Sequence, residues 1–122
     1  MSTVLIVEDN DKNMKLARDV LQAKGYQTLE AITGEDGVKL ARERKPDLVL
    51  MDIQLPGING IEAFRQIRGD ANTSRIPVVA LTASVTPTDR TAIAAAGFDA
   101  FLSKPINLKE FLDTVKRMVE KK

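Results

Sequence analysis

Short apolar runs alternate with longer amphipathic segments along the whole chain. The runs predict five strands, and the segments between them, whose apolar residues recur every three or four positions, predict five helices. Such alternation is typical of a parallel α/β sheet. The predicted strands are Thr3–Val7, Tyr26–Ala31, Leu48–Met51, Val78–Leu81 and Ala100–Leu102.

The apolar pattern also predicts where the strands lie in the sheet. Four of them are nearly continuous apolar runs, which indicates that helices cover both of their faces. The second strand, Tyr26–Ala31, alternates between apolar and polar residues, so we expect it at an edge. The predicted helices span approximately Asn10–Lys24, Glu35–Arg44, Gly60–Arg68, Thr86–Gly97, and Asn107 to the end of the chain.

Capping residues mark several helix ends. Thr86 and Asn107 are suitable N-caps, and Gly25 and Gly97 are suitable C-terminal stops. The body of the fourth helix, Ala92–Ala96, has high helix propensity but little apolar bulk. We therefore expect it to be the most loosely packed helix.

The length of 122 residues fits one domain, 1–122. Lysine and arginine number 18 against 17 aspartates and glutamates, and no block of like charges stands outside the closing Glu-Lys-Lys. We therefore expect neither nucleic acid nor a membrane surface as a partner. The apolar runs are too short to span a membrane, and no signal-peptide pattern is present. The expected location is cytoplasmic.

The chain contains no cysteine and no histidine. Disulfides, thiol nucleophiles, Ser-His triads, imidazole zinc sites and a phosphohistidine are therefore excluded.

Polar residues follow four of the predicted strands, at the edge where open α/β sheets bind ligands. If the second strand lies at the outer edge, three carboxylates, a hydroxyl and a lysine converge in one crevice. The excess of carboxylates predicts an all-oxygen Mg²⁺ site, and a carboxylate beside a metal and a lysine can attack phosphorus. The residues are Glu8, Asp9, Asp52, Thr82 and Lys104.

These residues stand in the segments Glu8-Asp9, LVLMDIQLPGING, PVVALTA and Lys104-Pro105. Together, in this order and spacing, they resemble the receiver domain of two-component response regulators, the CheY-like family, over essentially the whole chain. Within that family, the sequence of these segments is most similar to that of single-domain cell-division regulators. The resemblance implies a flavodoxin-like (βα)5 doubly wound sandwich, with a five-stranded parallel sheet in the order 2-1-3-4-5.

The resemblance also implies a role for each acidic residue. Asp52 would accept the phosphoryl group, and Asp9 and Asp52 would bind Mg²⁺ directly, with Mn²⁺ as an alternative ion. Glu8 would hold the metal through water, and the backbone carbonyl of Gln54 would complete the ligands. Glutamate at position 8 departs from the aspartate that many receivers have.

Further residues match the family's phosphoryl-binding and switch positions. Lys104 would pair with a phosphoryl oxygen, and Thr82 would donate its hydroxyl to another, with a small Ala83 leaving the approach open. Phe101 matches the aromatic switch position, where tyrosine is common, although on its own it is typical of a core residue. Gln54 and Ser84 match positions that tune dephosphorylation, and the bond from Lys104 to Pro105 is expected to be cis.

The resulting hypothesis is a stand-alone receiver that catalyses its own phosphorylation and dephosphorylation rather than acting as a conventional enzyme. Its phosphodonor would be a histidine kinase or histidine phosphotransfer protein. Output would pass to a protein effector through the fourth helix, fifth strand and fifth helix. The alternatives are a phosphate-independent adaptor on the same fold, a receiver from a hybrid histidine kinase, and a flavodoxin-like cofactor binder.

Overall fold

Five strands alternate with five helices in the computed structural model, which describes residues 2–83 and 87–120 but not the side chains of 87–89. The strands are β1 (Thr3–Val7), β2 (Gln27–Ala31), β3 (Leu48–Asp52), β4 (Val78–Thr82) and β5 (Ala100–Ser103). The helices are α1 (Asp11–Ala23), α2 (Gly34–Arg44), α3 (Gly60–Gly69), α4 (Pro87–Ala96) and α5 (Leu108–Glu120).

The strands form one parallel sheet in the order β2-β1-β3-β4-β5. The fold class and strand order expected from the sequence are confirmed. Strand β2 lies at one edge, as its alternating pattern predicted. In the register of the sheet, Val7 of β1 stands beside Met51 of β3, and Asp52 stands beside Leu81 of β4. The carboxyl ends of these central strands therefore meet at one edge.

Successive residues of each strand pack against different helices, because side chains alternate between the two faces of a sheet. Val4 and Ile6 belong to a cluster with residues of α1 and α5, whereas Leu5 and Val7 belong to a cluster with α2 and α3. All four side chains are fully buried. Burying a side chain of this size contributes about 1.5–3 kcal/mol relative to leaving it exposed. The helices on the two faces of the sheet thus hold the central strands in place, and the carboxyl ends of these strands carry the polar residues.

The helix ends follow local sequence signals. Asn10, Thr33 and Asn59 each accept a hydrogen bond from a backbone N–H three residues later, as does Asn107 in front of α5. Each cap provides a partner for a backbone donor that the helix itself leaves unpaired. The predicted cap at Thr86 lies outside the described residues.

Strand β5 departs from the pattern that its sequence predicted. We expected helices to cover both of its faces, but β5 is the other edge strand and only Leu102 is buried in it. Phe101 is 42 % exposed, so its interpretation as a core residue is wrong. Apolarity alone does not distinguish an edge strand from a covered one, because the neighbouring elements decide how much surface is removed from water.

Helix α4 makes little contact with the core, in agreement with the alanine-rich sequence. Among its described side chains, from Arg90 to Ala96, only Ile93 is buried. Gly97 ends the helix with a φ of 96°. Across residues 2–83 and 87–120, no helix is both long and apolar enough to cross a membrane.

Candidate metal and phosphoryl site

Three carboxylates meet where the carboxyl ends of β1 and β3 lie side by side. Glu8 and Asp9 directly follow β1, and Asp52 is the last residue of β3. One carboxylate oxygen from each lies within 4.8 Å of the others. Glu8 and Asp52 are buried, whereas Asp9 is exposed. The cluster therefore opens to solvent on the side of Asp9.

Lys104, in the loop after β5, supplies the positive charge of this cluster. Its Nζ donates to Glu8 Oε1 at 2.5 Å and to Asp52 Oδ2 at 3.1 Å. The Lys104 backbone N–H donates to the carbonyl of Thr82 at 2.8 Å, which ties the loop to the end of β4. The following peptide bond, to Pro105, is cis, as expected. The lysine thus bridges two buried carboxylates from strands far apart in sequence.

The other oxygens of these two carboxylates accept backbone hydrogen bonds. Glu8 Oε2 accepts from the N–H of Asn10 at 3.3 Å, and Asp52 Oδ1 accepts from the N–H of Gln54 at 3.1 Å. These short-range bonds orient each carboxylate relative to its own loop. A buried charge that lacks such partners would be costly.

The electrostatic environment favours a positive charge in the site. Burial, followed by the hydrogen bond and charge of the nearby Asp52, raises the pKa of Glu8 above its ordinary value, although Lys104 opposes the change. Burial acts to lower the pKa of Lys104, but the carboxylates of Glu8 and Asp52 outweigh it and raise that pKa. Three carboxylates around one ammonium leave two net negative charges when all are ionised. An all-oxygen donor set with that charge suits a hard divalent cation such as Mg²⁺.

A cleft of about 300 Å³ lies beside the cluster, between the loop after β3 and helix α4. Thr82, at the end of β4, is buried and lines this cleft together with Gln54 and Ile93. Ala83 follows as an exposed small residue. Ser84 lies outside the described residues.

Phe101, the predicted switch residue, points away from the core. The guanidinium carbon of Arg90, on α4, lies 5.9 Å from the centroid of the Phe101 ring, which is within the range of a cation–π contact. Phe101 therefore contacts α4 from the outer surface in this structure.

The structure brings together Glu8, Asp9, Asp52 and Lys104, and it places Thr82 at the neighbouring strand end, as the sequence predicted. Two residues around the site were not singled out from the sequence. Arg90 contacts Phe101, and no local signal distinguishes it from any exposed arginine. Asn59 caps α3 and lines the cleft, and its position before Gly60 was a usable signal for the cap.

The model of the response regulator receiver domain family matches residues 4–116. The chain therefore belongs to this family, whose members work in two-component signalling with kinases or phosphotransfer proteins and with effectors. Among its relatives is the polar-differentiation response regulator DivK of Brucella anthropi, 45 % identical over 114 residues that cover 93 % of both chains. DivK of Brucella ovis shows the same identity and coverage.

Solved structures agree with this assignment. The receiver domain of a sensor histidine kinase from Pseudomonas aeruginosa superposes with a TM-score of 0.91 at 33 % identity, over 98 % of both chains. That structure holds a magnesium ion in its active-site cleft. A response regulator from Chloroflexus aurantiacus superposes with a TM-score of 0.92 at 30 % identity, again over 98 % of both chains.

Proposed function

We propose that this receiver accepts a phosphoryl group on Asp52 in a Mg²⁺-dependent reaction and signals by phosphorylation-dependent contact with another protein. One observation carries the proposal: the buried Asp52 carboxylate is held by the Lys104 ammonium within a cluster of three carboxylates. A buried acid that serves only the fold has no need of two further carboxylates beside it, since like charges at this distance repel.

The donor set supports Mg²⁺ as the resident cation. Asp9 and Asp52 would bind it directly, the backbone carbonyl of Gln54 would add a third protein ligand, and Glu8 would hold it through water. All are oxygen ligands, and Mg²⁺ characteristically keeps several waters. The magnesium ion in the Pseudomonas aeruginosa receiver supports the same ion here, and Mn²⁺ is the expected substitute.

In the proposed transfer, an Asp52 oxygen attacks phosphorus, the new O–P bond forms, and the P–N bond to the donor histidine breaks. The electron pair of that bond returns to the imidazole of the donor. Lys104 would move from the Asp52 carboxylate to a phosphoryl oxygen, and Thr82 would donate its hydroxyl to another. The metal would neutralise the phosphoryl oxygens when bound. Attack by water on phosphorus would later return Asp52 and release inorganic phosphate.

The output surface would be formed by α4, β5 and α5. Movement of Thr82 toward the phosphoryl group would make room for Phe101 to turn inward, away from Arg90. The weak packing of α4 favours two arrangements of similar free energy, which phosphorylation would bias. We expect this exchange in the cytoplasm, with a histidine kinase or histidine phosphotransfer protein as donor and a protein effector as receiver of the signal.

The test is the intact mass of the protein in Mg²⁺, before and after treatment with phosphoramidate. We expect a gain of about 80 Da, the mass of one phosphoryl group transferred to the carboxylate. Asp52→Asn should abolish the gain, whereas Asp113→Asn, an exposed aspartate on α5, should retain it.

A variant lacking Asp52 that is still labelled at full stoichiometry would contradict the assignment. Absence of any gain in the original protein would favour the phosphate-independent adaptor if saturable Mg²⁺ binding were absent as well. With Mg²⁺ binding intact, the same result would indicate a receiver that requires its protein donor.

A further inference from the structure

Every oxygen of the two buried carboxylates already has a partner within the protein. Lys104 Nζ donates to Glu8 Oε1 and Asp52 Oδ2. The backbone N–H groups of Asn10 and Gln54 donate to the other two oxygens. We infer that the contact between Glu8 and Lys104 holds the ammonium against Asp52. The affinity of the site for Mg²⁺ is thereby lower than it would be with aspartate at position 8, although the Glu8 carboxylate would still hold the metal through water. This inference rests on the proposed metal site and concerns its regulation.

The charge of Lys104 opposes a metal ion at Asp52. Lys104 Nζ lies 3.1 Å from the Asp52 oxygen that it contacts, and its side chain is only 12 % exposed. A divalent cation binding to Asp52 therefore approaches an ammonium that solvent screens poorly, and the two positive charges repel. The ammonium must withdraw from Asp52 as Mg²⁺ binds.

The contact between Lys104 and Glu8 resists this withdrawal. Glu8 is 2 % exposed and its Oε1 accepts from Lys104 Nζ, so water screens this contact poorly. A charge-assisted hydrogen bond of this kind is stronger than a neutral one. Glu8 therefore keeps the Lys104 ammonium in the site when a metal ion binds to Asp52.

The length of the Glu8 side chain brings its carboxylate within hydrogen-bond distance of Lys104. Aspartate at this position would retract the carboxylate by about one C–C bond, roughly 1.5 Å. Its backbone at the end of β1 is fixed by the hydrogen bond from the Glu8 N–H to the Ala31 carbonyl at 3.0 Å. The retracted carboxylate would lose hydrogen-bond contact with Lys104 while its charge remained the same.

The decisive comparison is therefore Glu8→Asp, which changes geometry but not charge. Metal-free protein is titrated with MgCl₂ at constant ionic strength, and the Kd is obtained by calorimetry. We expect Glu8→Asp to lower the Kd about tenfold, the effect of losing one charged hydrogen bond that competes with the metal. Glu62→Asp, the same change at an exposed position on α3, should leave the Kd unchanged.

A double-mutant cycle with Lys104→Gln separates release of the lysine from direct effects of aspartate on the metal. Lys104→Gln alone should also bind Mg²⁺ more tightly, and in that background Glu8→Asp should add less than about a twofold change. If Glu8→Asp still lowers the Kd for Mg²⁺ about tenfold in the Lys104→Gln background, the inference is overturned, because position 8 would then act on the metal without Lys104.

The remaining outcomes distinguish the role of Glu8 from the existence of the proposed metal site. If the original protein shows no saturable Mg²⁺ binding, the proposed metal site fails. If it binds Mg²⁺ but Glu8→Asp binds equally or more weakly, the role of Glu8 is refuted and the proposed function stands. If Glu8→Asp does not fold, Lys104→Gln decides, and unchanged or weaker binding by that variant refutes the inference.

Discussion

Gly60, the first residue of α3, packs directly against the backbone of the proposed phosphoryl acceptor Asp52. A Cβ at position 60 would lie 2.2 Å from the Asp52 carbonyl oxygen and 2.7 Å from the Ile53 Cα. The Gly60 N–H also donates to the Ile53 carbonyl at 2.9 Å. The absence of a side chain at this position therefore allows α3 to begin where the acceptor strand ends.

We predict that Gly60→Ala destabilises the fold by at least about 2 kcal/mol, because backbone must shift to admit the methyl group. Gly69→Ala is the matched control, since nothing lies within 4 Å of a Cβ at the other end of α3. The control should be neutral or stabilising by up to about 1 kcal/mol. Urea unfolding of both variants checks the difference, and equal effects would contradict the close packing.

The second prediction concerns the pair Arg68 and Asp99, which joins α3 to the turn before β5. Asp99 Oδ2 accepts from Arg68 at 2.7 Å and from the Val78 N–H at 2.8 Å. Asp99→Ala leaves both donors without this acceptor and should cost about 2 kcal/mol or more. Arg42→Ala, which breaks a more exposed pair with Asp70, should cost less than about 1 kcal/mol. Chemical denaturation of the two variants measures the contrast, and the reverse order would refute it.

The third prediction concerns pH in metal-free protein. The raised pKa of Glu8 means that the folded protein retains a proton that the unfolded chain releases near pH 4.5. This contribution to the free energy of unfolding is complete below that pH and is lost as pH rises through the folded pKa. The stability of the original protein relative to Glu8→Gln should therefore fall as pH rises through this window. Thermal unfolding with a chelator present measures it, and a constant or rising difference would contradict the raised pKa.

The fourth prediction tests the outward position of Phe101. Because the residue is 42 % exposed, Phe101→Ala should cost less than about 1 kcal/mol in unphosphorylated protein. Phe111 on α5 is 1 % exposed, and Phe111→Ala should cost about 3–5 kcal/mol. Equilibrium unfolding distinguishes them, and a cost at Phe101 as large as that at Phe111 would indicate a buried ring.

The sequence by itself determined the elements and the edge of the sheet that carries the polar residues. Apolar runs and helical periodicity located all five strands and helices to within a few residues, and the alternation in Tyr26–Ala31 placed β2 at an edge. Asn107 was identifiable as a cap from its spacing to Glu110. These features are local, because periodicity and capping depend on neighbouring residues in the chain.

Tertiary structure decided which of the converging groups pair with one another. Lys104 reaches Glu8 across 96 positions of sequence, and no pattern in the chain distinguishes this contact from one with Asp52 alone. Likewise, β5 is as apolar as a covered strand, but its place at the sheet edge leaves Phe101 exposed. The physical reason is that ion pairing and burial depend on which surfaces meet after the chain has packed, whereas propensity and periodicity act before it does.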